Sequence, residues 1–72
     1  MSDIIKEVGF RIIVLREQRG WTQEKLATEA GLHRAYIGHI ERGEKNIGVK
    51  NLEKIANALD VSVRVLLDVP NP

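Results

Sequence analysis

Arg34, Tyr36 and His39 lie close together in the run His33-Arg-Ala-Tyr-Ile-Gly-His-Ile-Glu-Arg42. Their side chains bring a guanidinium fork, a phenol and an imidazole, which donate or accept hydrogen bonds. Such a set suits the reading of hydrogen-bonding edges better than the making or breaking of bonds. An arginine fork fits two adjacent acceptors, such as O6 and N7 of guanine, and the methyl of Ala35 suits the thymine methyl. Catalytic alternatives find little material: the chain has no cysteine, no Ser-His-Asp cluster and no phosphate-cradling glycine loop, so it is not expected to be an enzyme. No metal site is expected either, because His33 and His39 are six apart and do not share a helix face as residues four apart would.

A reading surface needs elements that hold it outward. Two short helices joined at Gly31 meet that need. Leu26, Ala27 and Ala30 form one apolar face on the first, and Ile37 and Ile40 form one on the second. Ala27 is small, as a close helix crossing demands. Gly31 stands where the chain must leave the first helix through a left-handed conformation, and Leu32 plugs the corner. Thr22 is the expected N-cap, with Glu24 in the first turn suiting the helix dipole. With Ile37 and Ile40 inward, a turn of about 100° per residue centres the outer face on Ala35, Gly38, His39 and Arg42, flanked by Arg34 and Tyr36. A helix of this kind enters the major groove of DNA by its N-terminal end, which puts Arg34, Ala35, Tyr36 and His39 nearest the base edges. Solvent or phosphate is the other destination for Arg34. Tyr36 either meets DNA or packs on the following helix or loop, His39 meets a base or a phosphate, and His33 is read as capping or solvent-exposed.

Phosphate contacts are expected from the flanks. Thr22 and Gln23 open a helix whose first N–H groups make an anion site. Arg42, Lys45, Asn46 and Lys50 line the other side, with loop solubilisation as the plainer reading of the last three. The net charge is only +1, but it is unevenly distributed. Residues 1–32 balance five basic against five acidic residues, residues 33–50 carry four against two, and residues 51–72 carry two against three. The surplus falls on the proposed probe helix and its loop.

The remaining elements frame this pair. A first helix over about Asp3 to Gln18 places Ile4, Ile5, Val8, Ile12 and Leu15 on one stripe and stops at Gly20. After a polar loop from Gly43 to Gly48, a fourth helix from Val49 to Leu59 buries Leu52, Ile55, Ala56 and Leu59, with Gly48 as N-cap. The run Val61-Ser-Val-Arg-Val-Leu-Leu is β-branched enough to suit a strand. Ser62 as cap, Pro70 as stop and four preceding helices favour a fifth, short helix.

The stretch from Arg16 to Val61 resembles the Xre-type, lambda-repressor-like helix-turn-helix family of transcription regulators. The resemblance rests on Leu15-Arg16, Arg19-Gly20-Trp21-Thr22-Gln23, Leu26-Ala27, Ala30-Gly31, Tyr36-Ile37, Ile40-Glu41-Arg42-Gly43 and Leu52-x-x-Ile55-Ala56-x-Ala58-Leu59. Within the family, His33-Arg34-Ala35-Tyr36-Ile37 with Lys45-Asn46 is similar to controller proteins of restriction-modification systems. The resemblance implies an all-α, compact five-helix fold with the helix-turn-helix at residues 22–42. It also implies that Arg16 and Glu41 pair structurally across the core, and that Gln23 touches phosphate and braces Arg34.

At 72 residues the chain has room for one domain, spanning 1–72. A single such domain grips few base pairs, so a homodimer on an inverted-repeat operator of double-stranded DNA is expected. Residues 60–69 are the expected dimerisation segment: Val61, Val63, Leu66 and Leu67 are more apolar than one short terminal helix needs, and the resemblance places dimerisation there; the other reading is that they only close the monomer core. Trp21 is read as a lid on the first two helices, with DNA stacking as the lesser option, and Phe10 as an off-stripe residue suited to a partner surface. No cofactor, small-molecule ligand or membrane contact is expected. The opening Met-Ser-Asp-Ile-Ile lacks a signal-peptide pattern, which gives a cytoplasmic expectation. The competing functional class is an antitoxin-like or adaptor module whose main partner is a protein.

Overall fold

Asp3, Thr22 and Ser62 each begin a helix for the same reason: a short side chain whose oxygen accepts from an otherwise unpaired first-turn N–H. Asp3 accepts from Ile5 N at 3.0 Å, Thr22 from Lys25 N at 3.0 Å and Ser62 from Val65 N at 3.4 Å. In the computed structural model, residues 3–68 are described. They form α1 (Ile4–Gln18), α2 (Gln23–Ala30), α3 (Arg34–Glu41), α4 (Val49–Ala58) and α5 (Val63–Leu66), with no strand among the described residues. The β-branched run near the C-terminus is therefore helical. Pro70, its expected stop, lies outside the described residues.

The first four helices close by one device. A residue with positive φ lets its own N–H and the one after it turn back onto the last turn's carbonyls. After α2, Gly31 (φ 69°) donates to Thr28 O and Leu32 to Ala27 O. After α3, Gly43 (φ 71°) donates to Ile40 O and Glu44 to His39 O. After α4 the position is held by Asp60 at φ 56°, a residue type that tolerates this region better than most.

α3 packs on α1 and α2, α2 also on α4, and α5 closes the bundle against α4 and α1. Ile12, Leu26, Ile37, Ile40, Ile55, Leu59 and Leu66 are fully buried. Each contributes about 1.5–3 kcal/mol of apolar burial. Three sequence expectations need correction. Ile4 is 53% exposed, and the buried stripe of α1 begins at Val8. The loop after α3 is not wholly polar, since Ile47 packs on the core. Leu66 is 0% exposed within one chain. It fills the bundle's own core, so it is not a surface residue for a second copy to touch.

One close helix approach involves a residue that hydrophobic periodicity passes over. Gly9 is buried where α1 crosses the end of α3, and a Cβ there would stand 2.4 Å from Ile40 O and 2.9 Å from Glu41 O. Glycine at 9 lets α1 lie directly on the last turn of α3.

Candidate nucleic-acid interface

The orientation of α3 is set by apolar packing on one side and by a polar clamp at its end. Ile37 and Ile40 anchor it inward. Glu41, its last residue, is buried at 5% exposure yet fully partnered. Arg16 donates to it twice, Nε to Oε2 at 2.7 Å and Nη2 to Oε1 at 3.1 Å, and spends Nη1 on Trp21 O at 2.7 Å. The hydrogen bonds to Glu41 raise the Arg16 pKa further above its usual value. A bidentate pair of this kind fixes both planes at once.

Gln23 belongs to the same cluster. Its Nε2 donates to Glu41 Oε1 at 2.9 Å, so the first residue of α2 is tied to the last residue of α3. Trp21 is half-buried beside the clamp, with Arg19 and Lys25 over its ring at 5.1 and 5.7 Å. That position suits a lid.

Arg34 and Ala35 are exposed in the first turn of α3. His33 precedes them as N-cap but makes no side-chain cap bond, and no acid occupies the first turn. The N–H groups at this end are thus left for solvent or a ligand. Arg34 shares an open cleft of about 440 Å³ with Arg16, Thr22, Gln23 and Glu24. The cleft joins the start of α2 to the start of α3. An anion seated there would meet the N-terminal dipole of α2 and the Arg34 guanidinium together. Thr22 Oγ1 accepts the capping bond from Lys25 N, which leaves its own hydroxyl hydrogen to donate.

Tyr36 is half-buried against the core, and its hydroxyl accepts from Asn51 Nδ2 of α4 at 3.0 Å. It therefore packs on the fourth helix, and its hydroxyl hydrogen remains available to a ligand. Asn51 was not singled out by periodicity, since a polar link between two helices leaves no periodic trace. Gly38 corrects the expected outer face. It is buried, and a Cβ built on it would lie 3.1 Å from Arg42 Nη1 and 3.6 Å from Gln23 Oε1. Its lack of a side chain makes room for these two neighbours rather than thinning the groove-facing surface.

His39 and Arg42 are drawn together by a residue that sequence reasoning counted only as a charge. Glu44 Oε1 lies 2.8 Å from His39 Nδ1, while Arg42 donates Nε to Oε2 at 3.0 Å and Nη2 to Oε1 at 3.1 Å. Donation from Arg42 and then from His39 holds the Glu44 carboxyl down at about 2. The Gly43 turn was the available signal: it folds Glu44 back over His39. Lys45, Asn46 and Lys50 are exposed beyond it, in the loop and the first turn of α4.

The site thus combines an α3 whose exposed first turn carries Arg34 with a helix pair locked at a glycine turn, and the helix-turn-helix family model matches residues 12–66. The chain belongs to the helix-turn-helix family. Its members here are Xre-like transcription regulators, not enzymes. The chain is 50% identical over 65 residues to control protein C.SmaI of Serratia marcescens, covering 90% of this chain and 77% of that one. Among solved structures, the restriction-modification controller protein C.AhdI from Aeromonas hydrophila superposes with TM-score 0.84 at 42% identity, covering 86% of this chain and 94% of that one. The controller protein C.Esp1396I, solved as a tetramer with its natural 35 base-pair operator, gives TM-score 0.83 at 41% identity, covering 92% and 87%. Other curated relatives are longer, and the chain spans 39–65% of four of them.

Around α5 the expected dimer residues divide. Val61 and Val63 are half-buried on the core, Leu66 is internal, and Leu67 is 44% exposed beside Arg64, Val65 and Asp68. Phe10 is 63% exposed on α1, and Arg11 of the same helix donates to the Asp68 carbonyl. No helix among the described residues is long and apolar enough to cross a membrane.

Proposed function

We propose that this helix-turn-helix protein is a sequence-specific regulator of transcription that binds an inverted-repeat operator as a homodimer, in the manner of restriction-modification controllers. The observation that carries the reading is the posture of α3. The Arg16–Glu41–Gln23 clamp and the Ile37/Ile40 anchor leave Arg34, Ala35 and His39 facing out on one rigid helix. Arg34 and Ala35 supply base contacts, joined by the Tyr36 hydroxyl and His39. Thr22, Gln23, Arg42, Lys45, Asn46 and Lys50 hold the phosphates on either side. Gln23 does so from a side chain already braced by Glu41.

Dimerisation through the exposed Leu67 with the outer edges of Val61 and Val63 sets two α3 helices about one helical turn of DNA apart. The relatives are control proteins and transcriptional regulators, which favours this reading over a module whose main partner is a protein. A DNA-binding regulator of this kind works in the cytoplasm. Selection of bound sites from a random duplex pool tests the reading. An enriched inverted repeat is expected, and a pool that returns no common sequence would contradict it.

A further inference from the structure

Glu44 is an odd residue for a DNA-facing surface, because its charge opposes phosphate and partly cancels Arg42. Its contacts suggest what it gives in return. His39 Nδ1 lies 2.8 Å from Glu44 Oε1 and 3.2 Å from Arg42 Nη2. One nitrogen cannot donate to the first and accept from the second at once. Glu44 is ionised and only accepts, whereas Arg42 only donates. The contact to Glu44 is the shorter and is charge-assisted. Arg42, moreover, already has two bonds to the same carboxylate. The proton therefore belongs on Nδ1. In a neutral imidazole that leaves Nε2 with a lone pair.

We infer that Glu44 is a positioning residue that fixes His39 as the Nδ1–H tautomer, so that Nε2 meets DNA as an acceptor and reads a base amino group, adenine N6 or cytosine N4. In the major groove those are the amino donors a lone pair can use, whereas guanine and thymine present only acceptors there. An unconstrained histidine could offer either nitrogen form and would discriminate less. The same carboxylate occupies two of Arg42's donors and so weakens its hold on phosphate, and Glu44 thereby trades overall grip for selectivity at one base. The base-reading step rests on the operator-binding function proposed above. The tautomer does not.

Two measurements separate these layers. The first is side-chain nitrogen NMR of the free chain at pH 8. The expected result is a protonated Nδ1 and an unprotonated Nε2 for His39, shifting toward Nε2–H in Glu44→Ala. Nε2–H in the unsubstituted chain, or no change in the variant, would overturn the inference. Glu44, the residue replaced, is exposed, so the variant keeps the fold, and unchanged backbone shifts elsewhere check this.

The second is site selection with the chain and with Glu44→Ala. Preference for A or C at one position per half-site should fall about 3–10-fold in the variant, the worth of one neutral hydrogen bond. Binding to random duplex should rise as Arg42 is released. Equal weakening at every position would refute the base-reading step. A chain that binds no DNA at all would sink the operator reading, and the NMR result alone would then decide the role of Glu44.

Discussion

Replacing Arg16 by Met, Glu41 by Leu, and then both, probes the clamp that orients α3. The Glu41 side chain is 2% exposed and takes three hydrogen bonds, two of them from Arg16. Arg16→Met leaves a buried carboxylate with Gln23 alone, at a cost of about 3–5 kcal/mol.

Glu41→Leu should cost less, about 1.5–3 kcal/mol, because Arg16 is 12% exposed, reaches water and keeps Trp21 O. The double variant should fall within about 1 kcal/mol of the parent, as apolar replacement of a whole buried pair often does. Urea unfolding at fixed protein concentration, followed by the single tryptophan Trp21, measures all four corners of the cycle. Strictly additive losses, or a double variant worse than either single one, would refute the view that the pair is desolvated and coupled. The double variant should still bind DNA more weakly, since Gln23 loses its anchor.

Gly9→Ala should destabilise by about 1–3 kcal/mol or more, because the new methyl meets backbone carbonyls that cannot rotate away; thermal unfolding checks it. Glu44→Ala should change the acid side of the stability profile. The Glu44 pKa is depressed on folding, from 4.5 to about 2, so the stabilising contribution is full above pH 4.5 and disappears as pH falls through 2. The two chains should therefore differ near neutrality and converge in strong acid in a pH series of urea midpoints. Leu67→Asp should shift sedimentation toward monomer with the fold retained, whereas Leu66→Ala should cost about 2–5 kcal/mol in a monomeric background as a core cavity.

Much of this architecture was legible because local chemistry and tertiary need agree. Thr22 caps α2, and Gly31 ends it in the left-handed region. Leu26, Ala27, Ile37 and Ile40 face inward as their spacing requires. The Arg16–Glu41 pair followed from the family resemblance, and its geometry bears that out.

The residues that escaped share a physical cause. Gly9 has no side chain, so it adds nothing to a hydrophobic stripe, and only the distance between α1 and α3 shows why it is needed. Gly38 was set on the outer face by helical angle alone, which takes no account of side chains from Gln23 and Arg42 leaning over it. Leu66 sits in a terminal helix of four residues. An apolar residue there reads alike whether it closes its own core or another's. Asn51 and Glu44 act through hydrogen bonds between elements, which periodicity does not encode.

The claim beneath these readings is that α3 projects as a rigid head whose Arg34 recognises bases rather than merely attracting phosphate. Parallel titrations of Arg34→Ala and Lys45→Ala, each on a selected operator and on random duplex at one salt concentration, test it most directly. Arg34→Ala should lose about 1–3 kcal/mol more on the operator than on random DNA, and Lys45→Ala should weaken both alike. Equal losses on the two DNAs for Arg34→Ala would contradict the account.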